Sequence, residues 1–191
     1  MLHGSVASPR NPLAHFAKGQ LLRATGRCGE AIREYEMALA SNRNWASAIG
    51  HIGRCKIYIG PIEEAIPLEE QAIRLSPRDS DIGLWYFRIG QVHLLQSSIN
   101  EATAWLEKAR SASPTLALVH RWLASAYALK GETERAAAEL AEARRLSGNG
   151  SPSSIAQAKA PNARNFAAPV IRALYEATYI VGLRKAGVPE L

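Results

Sequence analysis

The sequence predicts an all-α fold, a right-handed solenoid of about four helix–turn–helix repeats closed by a C-terminal capping helix. Three observations carry that prediction. Alanines recur at Ala31, Ala65, Ala102 and Ala136, spaced 34, 37 and 34 residues apart. Seven positions after each stands another alanine (Ala38, Ala72, Ala109, Ala143), and twelve positions before each a small residue (Gly19, Gly53, Gly90, Ala124). Five positions before, Gly26, Gly60 and Gly131 sit where a turn belongs, with Ser97 as the exception. Self-similarity at such a period marks stacked supersecondary units. The small residues have a physical reason, since two helices approach backbone to backbone only where both offer glycine or alanine.

The elements follow in order. The first unit, residues 12–45, takes helices near 12–25 and 28–41, with Leu22 and Tyr35 as large fillers between units. The second, 46–79, takes helices near 46–59 and 62–75. Pro67 falls inside the latter, where a missing backbone donor predicts a kink. Three extra residues within RLSPRDSDIG lengthen the connection to the third unit, 83–116, with helices near 81–96 and 99–112. Its Tyr86, Ile89, Gly90 and His93 share one helical face, and Leu106 fills the gap behind them. The fourth unit, 117–148, takes helices near 115–130 and 133–147, filled by Tyr127 and Leu140. Residues 1–11 read as a flexible N-terminus and 149–168 as a linker, with one or two helical turns within 154–160. Pro169 then fits the first turn of a final helix, 169–186, whose Val170, Ile171, Leu174, Tyr175, Tyr179 and Leu183 form a stripe. A solenoid end exposes an apolar face, and this helix is the obvious lid; a partner-binding helix is the alternative.

The repeat pattern of residues 12–148 resembles the tetratricopeptide repeat (TPR), a 34-residue helix–turn–helix unit. In that family the concave groove is lined by the first helix of each unit, at its second, fifth, ninth and twelfth places. Carried onto this chain, the lining is Phe16, Gln20 and Arg23 from unit one, and Arg54 with the adjacent Tyr58 from unit two, where Gly50 leaves a gap. Units three and four add Leu84, Phe87, Gln91, Leu118, Arg121 and Ser125, with Arg88 beside the line. The set holds arginines and aromatics and no carboxylate. It suits an extended or helical peptide of acidic or mixed apolar/acidic character, because arginine takes carboxylates bidentately and aromatics anchor apolar side chains. The family's lysine/asparagine clamp for chaperone C-termini is not reproduced, since Phe16, Gly50 and Phe87 stand where polar clamp residues belong.

Composition narrows the function further. Of 191 residues 47% are hydrophobic, and no apolar run approaches the ~20 residues of a membrane span. Residues 1–12 lack a basic n-region and an apolar h-region, so no secretory signal is read and a cytoplasmic location is expected. The net charge of +6 is spread without a basic block, which disfavours nucleic acid. Phosphate-binding, zinc-protease and serine-hydrolase motifs are absent, so neither enzymatic activity nor a metal or other cofactor is expected. His15, His93 and His120 occupy packing positions, while His51 lies nearer the concave side. Glu63, Glu64, Glu69 and Glu70 read as a solvated convex face, and Cys28 and Cys55 as reduced, half-buried thiols.

From Ala72 onward the wording is more particular. AIRLSPRDSDIGLWYFRIGQVHLLQS, EATAWLEKARSASP, HRWLASAYALKGETERAAAELAEARRLSG and IRALYEATYIVGLRKAGVPE resemble the C-terminal TPR region of class III adenylate/guanylate cyclases of rhizobia and related soil bacteria. That resemblance implies a nucleotide cyclase domain as a partner, in cis or in trans. The 191 residues themselves hold no cyclase catalytic domain, whether they are a stand-alone relative, a gene fragment or a piece of a longer protein, so cyclase activity is not expected of them.

Overall fold

The computed structural model describes residues 11–148, 154–159 and 168–191. Residues 1–10, 149–153 and 160–167, on which most of the N-terminal and linker expectations fall, lie outside the described residues. Four helix pairs follow one another: α1 (Pro12–Ala24) with α2 (Cys28–Ser41), α3 (Ala46–Ile59) with α4 (Ala65–Leu75), α5 (Ile82–Leu95) with α6 (Ile99–Ala112), and α7 (Ala117–Lys130) with α8 (Thr133–Ser147). A short α9 (Ile155–Lys159) comes next. Then α10 (Pro169–Tyr175) runs through a π-helical turn, Glu176–Ile180, into α11 (Val181–Lys185).

Local chemistry sets the boundaries. Asn11 Oδ1 accepts the Leu13 amide at 2.9 Å, and Pro12 occupies the first helical position of α1. Between the helices of units one, two and four the chain turns at Gly26 (φ 82°), Gly60 (φ 72°) and Gly131 (φ 82°). Ser97 does the same at φ 62°, so the break in the glycine pattern is a serine held in glycine's left-handed conformation. Pro67 does not kink a continuous 62–75 helix. A 3-10 turn at Ile62–Glu64 precedes α4, which leaves Pro67 in the first turn, where an amide donor has no intrahelical partner to lose.

The small-residue register is where the helices of each pair meet. The eight repeated alanines are at most 1% exposed. A Cβ on Gly19 would stand 2.6 Å from the Tyr35 ring, one on Gly53 2.8 Å from the Glu69 carboxylate, and one on Gly90 2.8 Å from Leu106. Gly90→Leu therefore overpacks unit three and is expected to destabilise by about 1–3 kcal/mol. An unchanged melting temperature would contradict this register.

Polar pairs repeat with the same period. His15 Nδ1 lies 2.7 Å from Glu34, and His120 Nδ1 lies 2.6 Å from Glu139 while its Nε2 reaches the Pro114 carbonyl at 2.8 Å. Each pair joins the first helix of a unit to the second across 19 residues, and in unit three Tyr86 and Trp105 meet at the same separation, 5.8 Å between ring centroids. Both histidines are structural. Glu69 departs from the solvated face expected of it: it is fully buried against Gly53, 3.3 Å from Arg88, whose guanidinium also donates to the Gly50 carbonyl at 3.0 Å. Gly50 is therefore no gap in a groove, because a Cβ there would meet Trp85 Nε1 at 2.6 Å. The two thiols are free and, instead of half-buried, almost wholly enclosed (Cys28 3% and Cys55 0% exposed).

Candidate interaction groove

Besides its sequence neighbours, α3 touches α5 and α5 touches α7. This direct contact puts α1, α3, α5 and α7 on the inner, shorter arc of the solenoid, with the second helices outside. The groove thus runs across the helices that the repeat register assigned to it.

Its two halves differ. Over units two to four, the C-terminal segment lies in it. The main neighbours of α11 and the π turn are α7 and α5, and those of α10 include α3. Tyr179 stacks on Trp122 with ring centroids 4.2 Å apart and planes inclined by 22°, and Trp122 meets Phe87 edge-on at 5.7 Å. Ser125 Oγ donates to the Tyr179 carbonyl at 3.0 Å, and the charge of Arg121 bears on the Tyr179 phenol. Ile171, Tyr175, Tyr179 and Leu183 are each at most 4% exposed. The closing helix thus covers the apolar inner face of the array, and a return of the chain fixes its end: the Ile155 and Ala156 amides donate to the Pro189 and Glu190 carbonyls at 2.7 and 3.1 Å. Among the lining residues, Phe87, Gln91 and Ser125 are buried, and Leu84, Leu118 and Arg121 are half-buried.

Over unit one and the N-terminal part of α3 the groove stays uncovered by that helix. Phe16 stacks on Trp45 (4.5 Å) and leans on Tyr35 (5.7 Å) and His51 (5.6 Å). Gln20 sits at the centre. Its amide nitrogen donates to His51 Nε2 at 2.8 Å, and its oxygen accepts from Tyr35 Oη at 3.2 Å and from Arg23. This fixes the proton of His51 on Nδ1, which is buried without a partner among the described residues. Burial, reinforced by the charges of Arg88, Arg23 and Arg54, pushes the imidazole down to about 3, so it is neutral. Arg54 donates to Tyr58 Oη at 3.3 Å. Neither Arg23 nor Arg54 pairs with a carboxylate among the described residues, although both bear on His51, Tyr35 and the facing Cys28 and Cys55 thiols. Two guanidiniums therefore converge on one half-buried patch where no carboxylate of the described residues pairs with them; Glu69, on which Arg54 bears, is paired with Arg88 instead.

Sequence reasoning found Phe16, Gln20, Arg23, Arg54 and Tyr58, which the fold brings together. It missed Trp122, the chief contact of the closing helix, which stands next to Arg121 but off the four-place rule. Trp45 was also missed, since it precedes α3 and belongs to no helical stripe. Among the described residues no group of three histidine, cysteine or acidic side chains is placed to hold a metal, and no helix is long and apolar enough to cross a membrane.

The architecture is similar to that of several solved structures. MamA from Desulfovibrio magneticus RS-1 superposes with a TM-score of 0.62 at 18% identity, over 92% of this chain and 94% of that one. A thermophilic TPR protein from Thermus thermophilus does so with 0.59 at 20% identity, over 92% and 86%. YrrB, described as a TPR protein with an unusual peptide-binding site, gives 0.56 at 15% identity, over 93% and 89%. The fold is the TPR solenoid. No family model and no curated protein matches the chain. The cyclase resemblance gains no support from these comparisons, which establish the TPR fold alone. Within that TPR frame, α1, α3, α5 and α7 are the first helices of units one to four.

Proposed function

We propose that this TPR chain is a non-enzymatic protein-interaction module whose concave groove takes a peptide segment of acidic or mixed apolar/acidic character. The observation that carries the reading is the convergence of Arg23 and Arg54, without carboxylates, beside the aromatic wall of Phe16, Trp45 and Tyr58. Like charges held together in a half-buried site favour an anionic guest, and charge-assisted bonds to guanidinium are among the stronger polar contacts. The peptide-binding site named for YrrB is in keeping with this use of the fold. A cytoplasmic setting belongs to the same proposal.

The test is binding of a fluorescein-labelled amphipathic peptide rich in glutamate and leucine. The Arg23→Glu/Arg54→Glu double variant is expected to bind about tenfold more weakly or worse, about 1.4 kcal/mol, and the wild type to weaken as salt rises. Equal affinity of the two chains would contradict the assignment. The alternative, regulation of a nucleotide cyclase, rests on the wording of residues 72–189. An endogenous polypeptide carrying these peptides at a mass far above 20.7 kDa would favour it.

A further inference from the structure

The C-terminal helix is seated as a ligand would be. Its stripe of Ile171, Tyr175, Tyr179 and Leu183 enters the groove, and Gly182 lets the backbone close on α7: a Cβ there would stand 2.0 Å from Ser125 Oγ and 2.6 Å from the Ser125 carbonyl. With the buried Ser125–Tyr179 hydrogen bond and the Trp122–Tyr179 stack, this makes a seat that selects an aromatic followed three positions later by a small residue. At the Pro169 end, Ile171 faces Gly60 at the end of α3, with Tyr58 about half a turn and Arg54 about one and a half turns back along that helix. The chain's own sequence cannot complete that end, because residues 160–175 contain no aspartate or glutamate. The helix therefore satisfies the apolar part of the groove, and among the described residues no carboxylate pairs with its two cations.

Building on the groove reading above, we infer that the C-terminal helix is an internal, displaceable occupant, and that the physiological guest is an amphipathic helix of a partner protein carrying acidic residues just N-terminal to an aromatic–small stripe. Such a guest gains both the apolar seat and the arginines. The tethered helix gains only the first, but enjoys the high effective concentration of an attached segment. The apparent affinity of the guest falls by the fraction of chains whose groove is open, so weakening the internal helix must raise it.

The probe is a fluorescein-labelled peptide of residues 168–191 preceded by four glutamates, offered to the full chain. Gly182→Trp, which ejects the internal helix without altering the groove, is expected to bind it at least tenfold more tightly than wild type. In the wild type, saturating probe is expected to speed amide hydrogen exchange in residues 178–183 while 117–130 stays protected. This second readout needs no variant, and so holds even if Gly182→Trp folds poorly. Binding to wild type with 178–183 still protected, or equal affinity for both chains, would overturn displacement while leaving the groove reading in place. Failure of the probe to bind either chain would overturn both.

Discussion

Trp122→Ala is expected to destabilise the chain by about 3–5 kcal/mol and to release the C-terminal helix. Trp122 is 3% exposed, on α7, and holds Tyr179 face-on and Phe87 edge-on, with Tyr175 6.1 Å away. Removing it empties the centre of the aromatic cluster that joins the closing helix to units three and four. The remaining shell cannot collapse readily, because Ser125 and Gly182 already fix the spacing of the two backbones. Thermal unfolding reads the first effect. Trypsin cleavage at the exposed Arg172 and Arg184 reads the second, and should accelerate well beyond the loss of global stability. A variant that melts lower but keeps these sites protected would contradict the role given to Trp122.

The second large effect is a pH dependence centred on Glu69. Complete burial pushes its carboxyl up to about 8, against the pull of the Arg88 and Arg54 guanidiniums. Between the ordinary value of 4.5 and about 8 the folded chain keeps a proton that the unfolded chain releases. The unfolded state then binds fewer protons, so stability falls as pH rises, by up to about 1.4 kcal/mol per pH unit. His51 acts in the opposite sense: its folded value of about 3 lies below the ordinary 6.5, so its contribution grows as pH rises towards 6.5. The two offset each other below that point, and the net fall emerges between about 6.5 and 8. Across that window the wild type should lose roughly 2 kcal/mol, and Glu69→Gln should flatten the slope. Arg88→Met leaves Glu69 without its partner, so its destabilisation should be larger at pH 8 than at pH 5, approaching about 3–5 kcal/mol once the carboxylate is ionised. A slope shared by wild type and Glu69→Gln would place the titration elsewhere.

The architecture was legible because repetition averages out local ambiguity. A small residue set against a larger one in the same register of successive units fixes the helix pairs, and the helices from Pro12 to Ser147 begin and end within about two residues of the expected positions, apart from the split second helix of unit two. What failed did so where one residue's surroundings override its type. Glu69 takes the place held by Tyr35, Leu106 and Leu140 in the other units, so its charge pointed outward in the sequence while its register pointed inward. Pro67 lies inside the helix that the periodicity predicts, and the preceding 3-10 turn moves the helix start to meet it. The closing helix was found with its apolar stripe, yet its seat across the inner arc depends on Gly182 meeting Ser125, a contact 57 residues apart that no local pattern records. The repeat register named Phe16, Gln20, Arg23, Arg54 and Tyr58, while the fold adds that they are neighbours and that, among the described residues, neither arginine pairs with a carboxylate.

The closing helix rests in the groove of the unliganded wild-type chain, and hydrogen exchange reads that position directly. Amides 178–183 are predicted to exchange as slowly as those of α7, residues 119–128, since both belong to one buried cluster. Exchange of 178–183 at the rate of an unstructured chain, with α7 still protected, would show an open groove and contradict the account.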